Sequence, residues 1–334
     1  MNSVSCGEFS AMLLICDAFT LMCLMGNISV LTTAGFLTGT AVQLLLALPA
    51  AYYYKNGGTL RDAPKIFAWF YLIYITLWGG LLFVMLWNAS GEITIPAENV
   101  PLVPEKFIIA GLIAAVCLYA AAPGEKALAR AALITAALGA VCIVIIIISA
   151  IPRSRMEYLS DTSHADSYFY EIMRGFVLSG GLGSFAVLIG FTKTSPVKCT
   201  WIYFSVKAVL FTAVTLTASA SAGGIMEIAD FPVITAAELS QPFSSQRIDS
   251  LFLIIFVILA VFAVSVQAVT ASYLLGMLFP GFRRFRSTAV IAVMTLSAFF
   301  LSGLDQYSVI YSIFAAAAIV LPIVMTAVRK LRVR

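Results

Sequence analysis

Apolar residues fall along this chain in long continuous blocks separated by short polar turns, with no alternation at a period of two. About 20 consecutive apolar residues cross a bilayer as a helix. Ten blocks of that kind are predicted, at Phe9–Leu31, Gly35–Tyr54, Phe67–Asn88, Phe107–Ala122, Ala127–Ala150, Ile172–Thr192, Trp201–Ala222, Leu251–Phe279, Thr288–Leu301 and Tyr307–Val328. A closed β-barrel needs alternating apolar and polar positions and is excluded. The pattern therefore predicts an all-α membrane protein. One block stands out: "FVLSGGLGSF", Phe176–Phe185, carries three glycines inside a greasy run, although glycine costs about 1 kcal/mol per residue in a helix relative to alanine.

Five blocks precede the polar segment 153–170 and five follow it. An odd number per half makes the halves enter the membrane from opposite sides, as in the inverted repeats of secondary transporters. We expect one transmembrane domain over residues 1–334, with repeat halves at about 8–150 and 171–328 and a five-plus-five LeuT-like arrangement. The first and sixth helices are then expected to be discontinuous at mid-membrane. The glycines of the sixth block would let its backbone unwind and face a cavity. Close helix packing through small residues is the plainer reading. The stretch 181–186 also matches G-x-G-x-x-A, but no strand precedes it and no acid follows about 20 residues on, so no dinucleotide site is read.

Composition agrees. The 334 residues are 61% hydrophobic and only 11% charged, with a mean hydropathy of +1.01, whereas a soluble domain is about 25% charged. With the N-terminus placed inside, Lys106, Arg153, Arg155, Arg174 and Arg247 fall outside and the other fifteen of the 20 Lys and Arg fall inside. That bias is the positive-inside pattern, and it puts both termini in the cytoplasm. The net charge of +4 suits an inner surface facing anionic lipid and calls for no nucleic acid. No cleavable signal or lipidation motif is read. Six cysteines without metal spacing read as small buried hydrophobes, and a single histidine, His164, makes a zinc site unexpected. No cofactor is expected, and no nucleophile–base pair suggests an enzyme.

The candidate binding residues come from polar groups at membrane depth. Asp17 lies eight residues inside the first block, too deep for a short side chain to reach water, and an intramembrane acid by default faces a cavity or partner. It can pair with a substrate ammonium, carry a proton, or bond to a neighbouring helix. Beside it are Ala18 and, from the glycine segment, Ser179, Gly180, Gly181 and Gly183. Tyr71, Tyr74 and Trp78 share one helical face, with aromatic packing the favoured reading and Tyr74 a candidate for a cavity wall. Ser265, Gln267 and Thr270 place polar groups midway along the eighth block. Lys207 is expected to snorkel to the inner interface, because its stem is long.

Two stretches carry a resemblance. "PGEKALAR" (Pro123–Arg130) and "FPVITAAELSQPFSSQRIDSLFLIIFVI" (Phe231–Ile258) resemble two signatures of the spore germination permeases, the B subunits of GerA-type germinant receptors. That family is similar to the amino acid–polyamine–organocation transporters. The resemblance implies a protein of the cell membrane or spore inner membrane. It would bind a small germinant, often an amino acid, and act beside A-type and lipoprotein C-type subunits. The first block reads "CDAFTLM" (Cys16–Met22) where the family commonly has a glycine. The alternative is a stand-alone proton-coupled amino-acid transporter with Asp17 as proton carrier; a scaffold that binds nothing is a third reading.

Overall fold

A computed structural model describes residues 4–61, 64–93, 102–160, 167–222, 229–239, 249–282, 285–302 and 317. The last predicted span, Tyr307–Val328, lies outside these residues apart from position 317, as do His164 and Arg247. Twelve α-helices occur among the described residues: α1 Cys6–Met22, α2 Val30–Lys55, α3 Lys65–Ile93, α4 Leu102–Ala121, α5 Glu125–Ala150, α6 Met156–Ser160, α7 Tyr168–Val177, α8 Leu182–Leu188, α9 Pro196–Ala222, α10 Pro232–Leu239, α11 Asp249–Leu278 and α12 Arg286–Leu301. Eight of them, with α7 and α8 as one interrupted span in addition, correspond to the first nine predicted blocks. The remaining two, α6 and α10, are short additions between spans.

Local chemistry sets the ends. Ser5 caps α1 and Glu8 reaches back to the Ser5 N–H at 2.7 Å, while Ser29 and Thr32 form the same reciprocal box at α2. Each box satisfies N–H groups that have no partner in the first turn. In "PGEKALAR", Gly124 takes φ of +85° between α4 and α5, a left-handed conformation that glycine adopts without penalty.

The sixth span is broken as expected. α7 and α8 meet at a 45° bend, with Leu178–Gly181 between them outside regular helix. The first span departs from expectation. α1 runs without interruption through Asp17 to Met22, and the chain leaves helix only at 23–29. Its residues Cys16–Met22 include no glycine or proline to open the helix, so the break predicted beside Asp17 falls after Met22 instead.

α1 and the broken span run antiparallel and are tied at both ends. At one end the only β-bridge among the described residues pairs Val4 with Thr192, with Val4 N–H donating to Phe191 O at 2.9 Å. At the other, Arg174 of α7 donates to the Asn27 carbonyl at 2.8 Å and to the Met25 carbonyl, and it pairs with Glu171 at 3.4 Å. Arg174, expected outside the membrane from the charge pattern, is instead buried in α7, where it meets carbonyls just past the end of α1 that have no helical partner. α2 lies against α7 and α9, and α3 against α11 and α12. The α2–α7 contact is backbone-close. A Cβ on Gly39 would fall 2.8 Å from Phe176 N, and one on Gly175 would fall 2.6 Å from Phe36 Cα.

We expect Gly39→Leu to lower the unfolding temperature of the detergent-purified protein, at an overpacking cost of about 1–3 kcal/mol. Gly111→Ala in the middle of α4, whose added Cβ meets nothing within 4 Å, should not lower it and should raise it slightly, by up to about 1 kcal/mol of stability. Fluorescence-detected size exclusion after heating measures both.

Candidate functional site

The interruption in the sixth span leaves backbone groups without helical partners in a medium that supplies no water, and such groups must be satisfied by protein. Side chains from three helices do this. Gln43 of α2 donates from Nε2 to Phe176 O at 2.5 Å. Gln267 of α11 donates from Nε2 to Gly180 O at 2.7 Å and accepts from Ser184 Oγ on α8 at 2.7 Å. Tyr54 of α2 donates to Ala186 O at 2.8 Å. Asp17 of α1 accepts the Gly181 N–H at 3.3 Å.

Asp17 is the centre of the cluster. Its Oδ1 also accepts from Ser179 Oγ at 3.2 Å and lies 3.4 Å from Lys207 Nζ; its Oδ2 accepts the Tyr203 hydroxyl at 2.5 Å. Lys207 uses its three donors on Asp17, on Gln43 Oε1 at 2.9 Å and on Ser179 Oγ at 2.6 Å. The ammonium also lies 5.2 Å from the Phe211 ring centre. Asp17, Gln43, Lys207, Ser184 and Gln267 are each 0% exposed. A neutral pair of opposite charges is thus sealed at the helix break.

Lys207 does not snorkel. α9 begins at Pro196, five residues before the predicted start of its block, so Lys207 stands eleven residues in, about 16 Å along the helix at 1.5 Å per residue. Asp17 is likewise eleven residues from the start of α1. The two meet at matching depth, and the gain from pairing a buried carboxylate outweighs what the lysine stem gains by reaching the interface.

Of the residues proposed from sequence, Asp17, Ser179, Gly180, Gly181 and Gln267 come together here. Gly180 and Gly181 pass so close to α1 that a Cβ would fall 2.4 Å from Cys16 O and 3.1 Å from Leu13 O respectively. Gly183 packs instead under Tyr74, whose Cε1 would lie 2.3 Å from an added Cβ. Tyr74 stacks on Trp78 at 6.2 Å and on Phe70 at 6.5 Å, as aromatic packing predicts. Ser265 bonds within α11 to Val261 O at 2.7 Å and across to Cys117 O at 3.5 Å, away from Asp17. Thr270 likewise bonds back to Val266 O at 2.7 Å. Ala18 faces an apolar cavity of about 30 Å³ shared with Leu21, Met22, Leu210 and Ala237. Sequence reasoning missed Gln43, Tyr203 and the inward turn of Lys207. Two signals were present: an amide in the middle of an apolar block, and Tyr203 and Lys207 spaced i, i+4 on one helical face.

Replacing Lys207 by Met leaves the Asp17 carboxylate buried without its cation, at a cost of about 3–5 kcal/mol. The expected result is a large loss of thermal stability for Lys207→Met. The double variant Asp17→Asn/Lys207→Met should lose less than the sum of the two single losses. Strictly additive losses would show that the pair is not coupled.

Comparison of the sequence with protein-family models gives no match, and comparison with curated proteins gives none either. Solved structures do match. The closed conformation of Mhp1, a nucleobase-cation-symport-1 family transporter with bromovinylhydantoin bound, superposes with a TM-score of 0.66 at 14% identity, covering 97% of this chain and 78% of that one. Inward-facing Mhp1 gives 0.61 at 14% identity, covering 97% and 77%. At that identity the likeness concerns the fold. The chain is an all-α integral membrane protein built on the LeuT-like fold of these transporters.

Proposed function

We propose that the chain binds a small amino-acid-like zwitterion at the break between α7 and α8, as the membrane subunit of a spore germinant receptor. The Asp17–Lys207 pair carries this reading. A carboxylate and an ammonium are held together where backbone N–H and C=O groups are exposed by the break. A zwitterion presents the same two charges. Its carboxylate can take Lys207 and the Gly181 N–H, and its ammonium can take Asp17, with no net charge added to the low-dielectric interior. A solute with one charge would leave one member of the pair uncompensated, which is costly at this depth. Ser179, Gly180, Gly181 and Gln267 bound the site, together with Gln43 and Tyr203, while Ala18 faces the neighbouring apolar cavity.

Binding then exchanges an internal ion pair for two ligand contacts. It shifts the balance between a closed arrangement and one in which α1 and α7–α8 separate, to the extent that the ligand prefers the second. The resemblance of Pro123–Arg130 and Phe231–Ile258 to the spore germination permeases supports passing that shift to A-type and C-type subunits. The second reading is proton-coupled amino-acid transport by the chain alone. The same pair supports it, since moving one proton between Asp17 and Lys207 and the medium alters the charge at the break.

Titration of the purified chain with single amino acids tests the site. A ligand at 100 times its Kd stabilises by about 2.7 kcal/mol, and that stabilisation should vanish in Asp17→Asn and in Lys207→Gln. Equal stabilisation by the matching amine or the matching carboxylic acid alone would sink the zwitterion assignment. Spores carrying Asp17→Asn or Gly181→Leu at normal protein levels should lose germinant sensitivity. Uptake into proteoliposomes driven by a pH gradient would favour the stand-alone transporter.

A further inference from the structure

Cys16, Cys23, Cys117, Cys142 and Cys199 are buried, whereas Cys6 is partly exposed. The thiols of Cys6 and Cys199 stand side by side and interact directly. We propose that these two form a reversible disulfide that clasps α1 to α9, made by exchange with a small soluble disulfide. This holds whether or not the helix break binds a zwitterion.

The backbone brings the two thiols together. Val4 N–H donates to Phe191 O at 2.9 Å and Lys193 N–H donates to Val4 O at 3.0 Å, so the start of α1 is pinned to the segment that leads into α9. Cys6 is the first residue of α1. Cys199 lies in the first turn of α9, where its N–H donates to Ser195 O at 3.2 Å. From this end α1 and α9 run in the same direction and pack on each other. Asp17 lies eleven residues beyond Cys6, Lys207 lies eight beyond Cys199, and these two meet at 3.4 Å. The bridge before the thiols and the ion pair after them hold the two backbones close, as a disulfide requires.

Exposure sets the order of steps. Lys193 and Lys198, on either side of the α9 start, are exposed and mark the aqueous end of the spans. The Cys6 thiolate attacks one sulfur of the soluble disulfide, forms a mixed disulfide and releases one thiol. Cys199, behind it, then attacks the Cys6 sulfur and releases the second thiol. The reagent's S–S bond is broken, one S–S bond is formed in the protein, and two electrons with two protons pass to the reagent. The closed clasp adds a covalent tie on the α1–α9 seam, about 12–16 Å from the ion pair at 1.5 Å per residue. Any movement that parts these helices is then held until a reductant restores the thiols.

The full chain, reduced and purified in a non-ionic detergent, is treated with oxidised glutathione, then unfolded and alkylated. Of its six free thiols, two should be lost. The chain should stay monomeric on a non-reducing gel, and peptide mapping should find Cys6 joined to Cys199. The unfolding midpoint should rise and should return to its starting value with dithiothreitol, because a cross-link over a long stretch of chain restricts the unfolded state. In Cys199→Ser the mixed disulfide on Cys6 should persist, and Cys6→Ser should keep all its remaining thiols. The proposal is overturned if every thiol survives the treatment, if other cysteines are joined, if a covalent dimer forms in place of the internal link, or if the link leaves the midpoint where it was. Should either variant fail to fold, the peptide map of the parent decides.

Discussion

One buried ion pair organises the centre of this protein. An aspartate in lipid is too expensive to leave alone, and a lysine equally so. Each makes the other tolerable, and neither is satisfied by the other alone. Lys207 needs Gln43 and Ser179 as well, and Asp17 needs Tyr203, Ser179 and the Gly181 N–H. The pair therefore draws α1, α2, α9 and the α7–α8 break to one point.

That convergence explains why the sixth span can be broken without exposing backbone to acyl chains. Every free group named at the break is met by a side chain from another helix, so the interruption is stable only within the assembled bundle. α1 supplies one of those side chains while remaining a complete helix. It is fastened to the broken span at three heights: the Val4–Thr192 bridge, Asp17, and Arg174 on the carbonyls of Met25 and Asn27. A rearrangement that opens the break has to release some of these ties.

The fold was legible along the chain because its causes are local. Long apolar blocks give spans, and clustered glycines mark the weak helix. Asp17 and the segment 179–181 were legible for a similar reason, since a short acid and a run of glycines are each anomalous where they stand. Lys207 was not. A long cationic side chain near a helix end has two good outcomes, and which one applies depended on α9 starting at Pro196. Gln43 and Tyr203 were harder still, because one amide or phenol in an apolar helix is unremarkable until its neighbours are known.

The sequence by itself determined that the chain crosses a membrane many times and marked the glycine segment of the sixth block as the place where a helix could break. Both follow from hydration cost and backbone propensity, which act within one segment. Tertiary structure alone decided that Asp17 faces an internal cation and that Ser265 bonds away from the acid. Those outcomes turn on the rotation and depth of one helix against another. Side chains separated by more than 150 residues set that fit, and no single segment records it.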